Sequence, residues 1–317
     1  MRTKVAVIGG GQNCEHAVSL ASAASARAAL EKSCIVVALT IGADGIWLLR
    51  SEPLGTTPAT SLAGALRVMA ACDVVLPLLH GPRGEDGTIA ALCDLAGARY
   101  VGSGVRAGAL AMDKWATKLV ASALGIPTAQ GVLVTRATAP SISYVAPVVV
   151  KPVSAGSSHG VSLVTSADRL EPALAAALAL DDRVLVEERL VGREVDIAVL
   201  QRPNGSRFVS PPLEIVVDHG LFDTEHKYDG SAVFHVPAAL AEVERKEIEA
   251  AALALFDGLG CAGVARFDFF VTEKGVVLNE VNTMPGMTAQ SQVPRMFAAV
   301  GLPYAALLTD LVNGALG

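Results

Sequence analysis

Three short β-branched runs, residues 4–9, 34–41 and 73–78, are separated by alanine-rich stretches of helical length, residues 16–32 and 62–71, and a third such stretch, 87–96, follows. Strands that alternate with helices return by crossovers rather than hairpins, so they pair in parallel beneath helices on both faces. The continuous apolar run Lys4-Val-Ala-Val-Ile-Gly9 fits a strand buried on both sides, as such a sheet demands. The first hundred residues therefore predict a doubly wound α/β domain with a parallel sheet. Residues 105–124 read as one further helix, stopped by Gly125-Ile-Pro127.

The pattern then changes. Residues 145–151 and 160–165 read as strands flanking a glycine- and serine-rich loop, 152–159, and further strands follow at 183–188 and 194–200. Asn204-Gly205 is a hairpin turn signal. A long helix is expected over 237–259, and a hairpin over 264–271 and 275–279 turned at Glu273-Lys274-Gly275. This is an α+β layout. The expected organisation is an α/β domain over 1–108, a central α+β unit over 109–184 and a C-terminal α+β unit over 185–317.

Apolar residues make up 52% of the chain but aromatics only 4%, and alanine supplies much of the difference. Alanine favours helices, and no uninterrupted apolar run approaches the ~18 residues that a membrane span needs. Residues 4–9 are too short for a secretory signal core and polar residues follow at once, so a cytoplasmic location is expected. A net charge of −6 without any block of like charge gives no footprint for nucleic acid or an anionic membrane. The five cysteines are scattered, with no C-x-x-C or H-E-x-x-H, which supports neither a zinc site nor a disulfide framework.

Gly9-Gly10-Gly11-Gln12-Asn13-Cys14 has the outline of a dinucleotide fingerprint but carries Cys14 where the third glycine is needed, which weakens the reading as a nicotinamide site of a dehydrogenase and leaves it a distant rival. What is left is a helix N-terminus with Glu15, which reads either as a simple cap or as a carboxylate facing a cleft and holding a substrate ammonium. Lys151-Pro-Val-Ser-Ala-Gly-Ser-Ser-His-Gly160 is no P-loop, since its lysine precedes the glycines. A strand-terminal lysine before a loop of small residues can still meet a phosphate while amides wrap it; a solvated hairpin is the plain alternative. Period two puts Arg266 and Asp268 on one strand face, and Glu280 and Asn282 on one face of the next. Two carboxylates and an amide are hard oxygen ligands suited to magnesium on nucleotide phosphates, with a structural salt bridge to Arg266 as the rival reading.

Further segments complete an ordered set: Cys14-Glu-His-Ala-Val-Ser-Leu20, His80-Gly-Pro-Arg-Gly-Glu-Asp-Gly-Thr88, Val101-Gly-Ser-Gly-Val105, Ala109-Leu-Ala-Met-Asp-Lys114, and Val150-Lys-Pro152 with Gly156-Ser-Ser158. Then come Val186-Glu187, Gly192-Arg-Glu194, Lys227-Tyr228, Gly263-Val-Ala-Arg-Phe-Asp-Phe269, Asn279-Glu-Val-Asn-Thr-Met-Pro-Gly-Met-Thr288 and Pro294-Arg-Met296. In this order, and across essentially the whole chain, they resemble the ATP-grasp superfamily and within it the D-alanine–D-alanine ligases.

The resemblance implies an ATP-dependent, ADP-forming ligase of peptidoglycan precursor synthesis that works through an acyl phosphate, as a homodimer. It implies ATP as nucleotide and two magnesium ions, with manganese able to replace them. Lys114, Lys151 and Lys227 would meet ATP, Glu187 the adenine and Glu194 the ribose; Asp268, Glu280 and Asn282 would hold the metal. Glu15 and His80 would face the first D-alanine, with Ser157 and Tyr228 bonded to Glu15. Arg266 and the amide of Gly286 would stabilise the tetrahedral oxyanion, and Ser291 would meet the second substrate's carboxylate. Residues 217–232 are the expected lid over the acyl phosphate.

Departures from the family pattern bear on specificity. Gln292 stands where leucine or methionine is common beside the second substrate, and an amide there could bond a hydroxyl. His159 replaces a small aliphatic residue, and Phe222 and Thr224 stand where tyrosines are common, while Tyr228 favours an amino acid over a hydroxy acid. The rivals are therefore a sister ligase taking D-serine, D-lactate or another amino acid, and a nucleotide-binding regulator without catalysis, which need not keep the metal trio.

Overall fold

The computed structural model describes residues 2–216 and 233–317. Strands β1 (Lys4–Gly10), β2 (Ile35–Ile41), β3 (Trp47–Leu49), β4 (Glu52–Pro53) and β5 (Val74–Pro77) form a sheet in the order β4-β3-β2-β1-β5. β1 runs parallel to β2 and β5, as the alternation predicts. The edge corrects the expectation of a wholly parallel sheet, because β3 and β4 add as an antiparallel meander. The link from Ile41 to Trp47 is too short for a crossover and closes as a turn, Gly42 N–H donating to the Ile46 carbonyl at 2.8 Å.

Helices α1 (His16–Leu30), α2 (Pro58–Ala70) and α3 (Thr88–Leu95) cover this sheet. Successive residues of β1 point to opposite faces: Val5 and Val7 join a core with Ala26 and Leu30 of α1, while Ala6 and Ile8 join one with Ala65, Met69, Ile89 and Cys93. That is the doubly wound arrangement. Gly10, at φ +91°, is the point where β1 leaves the sheet; a β-carbon there would lie 2.1 Å from the Ile41 carbonyl oxygen.

The helix expected over 105–124 is two helices, α4 (Val105–Met112) and α5 (Lys114–Ala123). Asp113 breaks it at ψ 100°, and its carboxylate caps α5 by accepting from Ala116 N–H at 2.8 Å. Strands β6 (Gly131–Thr135), β7 (Val148–Pro152), β8 (Ser162–Val164) and β9 (Arg183–Glu188) form an antiparallel sheet in the order β6-β9-β7-β8. Helix α6 (Leu170–Leu178) packs Leu170, Leu174 and Leu178 on its valines. The boundary expected at residue 185 thus falls within β9, whose partners all lie in this sheet.

The third sheet has the order β13-β12-β10-β14-β15, with β11 paired to β10. Its strands are β10 (Arg193–Gln201), β11 (Arg207–Val209), β12 (Leu213–Val216), β13 (Val233–His235), β14 (Val264–Thr272) and β15 (Gly275–Asn282). Helix α7 (Glu242–Leu259) starts five residues later than the expected 237. It buries Ile248, Leu255 and Phe256 against one face of the sheet, alongside Ala107, Ala111 and Ala121 of α4 and α5. On the other face, α8 (Gln292–Ala298) and α9 (Tyr304–Leu316) share one core with the first sheet, in which Leu307, Leu308 and Leu311 join Val5, Leu76, Ala198 and Leu213. This common core ties the first and last parts of the chain together.

Arg193 fixes β12 to β10 by a bidentate pair to Glu214, both contacts 2.7 Å. That hydrogen bonding holds the Glu214 carboxyl below its ordinary value of 4.5, so its contribution is present above about pH 4.5 and lost as pH falls through the lower folded value. Glu214→Gln is expected to lower unfolding free energy by about 1 kcal/mol at pH 7, allowing for solvent screening of the partly exposed Arg193, and by much less near pH 3. Urea unfolding at the two pH values checks it; an equal loss at both would exclude the ionic contribution.

Candidate active site

Glu15 sits at the start of α1 and makes no side-chain capping bond. The plain cap reading is thereby corrected: its buried carboxylate instead accepts from the Ser157 hydroxyl, joining the first domain to the loop after β7. Two glycines make room for it. A β-carbon on Gly81, which also has φ +73°, would lie 2.3 Å from Glu15 Oε2, and one on Gly156 would lie 2.6 Å away. Ser157 and Ser158 themselves adopt left-handed backbone, φ 50° and 58°, uncommon for residues with a side chain.

His80 follows β5 and is only 3% exposed. Its Nδ1 lies 2.8 Å from the Met284 carbonyl and 3.7 Å from Glu85, and its Nε2 lies 2.9 Å from Ser22 Oγ. Burial pulls this imidazole down, but Glu85 and the Met284 carbonyl outweigh it and leave it raised. Burial pushes the Glu85 carboxyl up, with His80 pulling the other way. Ser22 Oγ also accepts from Met287 N–H at 3.2 Å, so one buried serine on α1 holds both His80 and the loop that carries Gly286. Neither Ser22 nor Glu85 emerges as a site residue from the sequence, where an internal helix serine carries no distinguishing signal. Ser22→Ala is expected to lower kcat/KM for the substrate held beside His80 about tenfold, because buried donors left unsatisfied cost ~1–3 kcal/mol, with little effect at the distant lysines. Steady-state kinetics decides, and unaltered kcat/KM would reject the role.

Lys151, at the end of β7, is buried and contacts Glu187 Oε2 at 2.6 Å. The other oxygen of Glu187 meets Lys118 at 2.6 Å, so one carboxylate of β9 lies between two ammonium groups. Burial would raise the Glu187 carboxyl, yet Lys151 and Lys118 together hold it below the usual range, while burial draws Lys118 down. Lys118 is absent from the sequence reading. Its signal is the i, i+4 spacing from Lys114 on α5, which puts the two lysines on one helix face. Lys114 donates to the Ala155 carbonyl at 2.7 Å and lies 3.5 Å from Glu280.

The register pairs Asp268 with Glu280 and Arg266 with Asn282, which sets side by side the two same-face pairs that the two-residue period predicts. It slips after Asp268, where Phe269 pairs with Leu278, so Asn279 is an extra residue in β15. The bulge lets consecutive residues serve one site: Lys151 reaches Asn279 Oδ1 at 3.5 Å, and Glu280 faces Lys114. Arg266 is bidentate to Asp268 at 2.6 and 2.8 Å, lies 3.5 Å from Asp196, and donates to Gln292 Oε1 at 2.6 Å. Against the downward pull of burial, Asp268 and Asp196 raise the guanidinium further. The salt-bridge reading of Arg266 is therefore realised, and in the same place as the oxygen cluster.

No group of three His, Cys, Asp or Glu side chains suited to a metal occurs among the described residues. Asp268, Glu280 and Asn282 fit a divalent ion as two carboxylates and an amide: they lie on paired strands, and Asn282 Nδ2 is 3.0 Å from Asp268 Oδ2. Glu194 lies on β10, paired across to Ile215 and Phe270. Gly286 adjoins Ser291, since a β-carbon on it would be 3.2 Å from the Ser291 hydroxyl; that hydroxyl accepts from Thr288 N–H at 3.0 Å just ahead of α8 and Gln292. Lys227, Tyr228, Phe222, Thr224 and the expected lid, 217–232, lie outside the described residues.

A four-stranded antiparallel sheet and a larger antiparallel sheet, with Lys151 of the first and Lys114 of α5 facing an amide and a carboxylate on β15 of the second, define an ATP-grasp enzyme. Models of the D-Ala–D-Ala ligase N-terminus and C-terminus match residues 4–103 and 120–313, so the chain belongs to the D-alanine–D-alanine ligase family. The D-alanine–D-alanine ligase of Mycolicibacterium smegmatis is 41% identical, the match covering 99% of this chain and 96% of that protein. Among solved structures, the VanG D-Ala:D-Ser ligase from Enterococcus faecalis is 31% identical with a TM-score of 0.84, covering 99% of this chain and all of that one. The D-alanine–D-alanine ligase from Coxiella burnetii is 30% identical with a TM-score of 0.81, covering 99% and 94%. No helix among the described residues is long and apolar enough to cross a membrane.

Proposed function

We propose that this chain joins two D-alanines into D-alanyl-D-alanine for peptidoglycan synthesis, converting ATP to ADP and phosphate. The observation that supports it best is that Glu15, from the first domain, meets the Ser157 loop between β7 and β8, whose Ala155 carbonyl accepts from Lys114. An ammonium-binding carboxylate and phosphate-binding cations thus share one site. A carboxylate has no good leaving group. The first D-alanine, held by Glu15 and His80, therefore attacks the γ-phosphorus through its carboxylate oxygen, and ADP leaves. Lys114 and Lys151 position and neutralise the phosphates, with Lys227 as a further ATP contact; Glu187 and Glu194 meet adenine and ribose. The amine of the second D-alanine then attacks the acyl phosphate carbon. Arg266 and the Gly286 amide stabilise the oxyanion, and as it collapses the C–O bond to phosphate breaks, the departing phosphate carrying away the proton lost by the amine as the peptide bond forms.

A divalent ion held by Asp268, Glu280 and Asn282 supplies charge neutralisation at the phosphates when bound. We take it to be magnesium, as two ions, replaceable by manganese. Ser291 receives the second substrate's carboxylate, and Ser157 and Tyr228 secure Glu15. A three-unit organisation, with its first division near residue 108 and its second after β9, and a homodimeric state complete the reading.

A second reading, a hydroxyl-bearing second substrate such as D-serine, rests on Gln292. Its Oε1 accepts from Arg266, which leaves its amide N–H groups as the donors it offers a substrate. Magnesium-dependent phosphate release from ATP, measured against D- and L-amino acids and D-lactate, separates these. Release with D-alanine alone and a dipeptide product supports the first reading; release only with mixed pairs selects the second; release with none rejects both.

A further inference from the structure

We propose that Lys118 is a positioning residue for nucleotide binding: it stays on the buried Glu187 carboxylate as a standing counter-ion and so releases Lys151 to engage a phosphate. The inference rests on the reading of this site as an ATP site. Glu187 is 4% exposed and each of its oxygens has one ammonium at 2.6 Å, Lys118 on Oε1 and Lys151 on Oε2. The two lysines are not held alike. Lys118 has a second close partner, the Ala129 carbonyl at 2.6 Å, whereas the second contact of Lys151 is the Asn279 amide oxygen at 3.5 Å. The cation with two close partners stays on Glu187, and the one with a single close partner turns to the phosphate.

Without Lys118, Lys151 would be the counter-ion on which Glu187 depends. Moving it to a phosphate would then strand a buried carboxylate, which a protein interior penalises heavily. The i, i+4 spacing on α5 divides the labour: Lys114 serves the loop at Ala155, and Lys118 serves the strand at Glu187.

Calorimetric titration with ATP and with adenosine tests this, read as the ratio of the two affinities, which isolates the contribution of the phosphates. In Lys118→Met the ratio is expected to fall about tenfold or more, and in Lys118→Arg to stay within about threefold of wild type. In Lys118→Met/Glu187→Gln it should recover, because no carboxylate remains to detain Lys151. An unmoved ratio in the single variant, or a double variant as poor as the single, overturns the inference and leaves Lys118 a packing role. If Lys118→Met fails to fold, Glu187→Gln and the double variant decide: the inference requires equal ratios, and a lower one in the double overturns it. Wild-type protein that binds neither compound would defeat the nucleotide reading and this inference with it, an outcome distinct from an unmoved ratio.

Discussion

Arg266→Ala is expected to reduce dipeptide formation by about 10²–10³-fold, the usual consequence of losing one oxyanion donor, with little change in ATP affinity. The structure adds a second expectation. Arg266 is bidentate to Asp268 and close to Asp196, so deleting it takes the cation from buried acids and lowers the melting temperature as well. Arg266→Lys separates the two effects. It restores charge and much of the stability, but it cannot reproduce the planar fork that bonds Asp268 and Gln292 together, so its rate should remain depressed. Steady-state kinetics beside thermal unfolding reads both, and near-normal turnover in Arg266→Ala would end the oxyanion assignment.

Lys151→Met should cost about 10²-fold in kcat/KM for ATP, in the range expected when one member of a buried charged contact is removed. Stability should barely change, because Lys118 remains on Glu187 at 2.6 Å and keeps the carboxylate compensated. The contrast is diagnostic: a large kinetic loss with an unchanged urea midpoint marks a residue whose work is done on the ligand. A matching loss of stability would make Lys151 a structural partner of Glu187 and remove it from the phosphate site.

What the sequence discloses, and where it stops, follows from the range of the forces involved. The strand at β1, the helix α1 and the hairpin β14–β15 are written in local periodicity, and they appear where the pattern puts them. That Arg266 and Asp268 share one face, and Glu280 and Asn282 one face of the next strand, follows from a two-residue repeat on each; their pairing across the hairpin is set by its register. The break at Asp113 is subtler: an aspartate inside an alanine-rich stretch reads as a solvated helix residue until its carboxylate is seen capping Ala116. The bulge at Asn279 is not legible at all, since it depends on how β15 meets its neighbour. Ser22 is of the same kind, and Lys118 nearly so, marked only by its i, i+4 spacing from Lys114. Each is an ordinary helix residue locally, and each gains its role from a partner at least 58 residues away in the chain.

The shared core beneath α9 has a consequence for how the protein is made. The side of the first sheet that carries Val5, Val7 and Leu76 has only α1, through Ala26 and Leu30, to cover it while more than two hundred further residues are synthesised, because Leu307, Leu308 and Leu311 follow so much later in the chain. A nascent chain therefore emerges with a sticky surface awaiting its own tail, and chaperone contact should concentrate there.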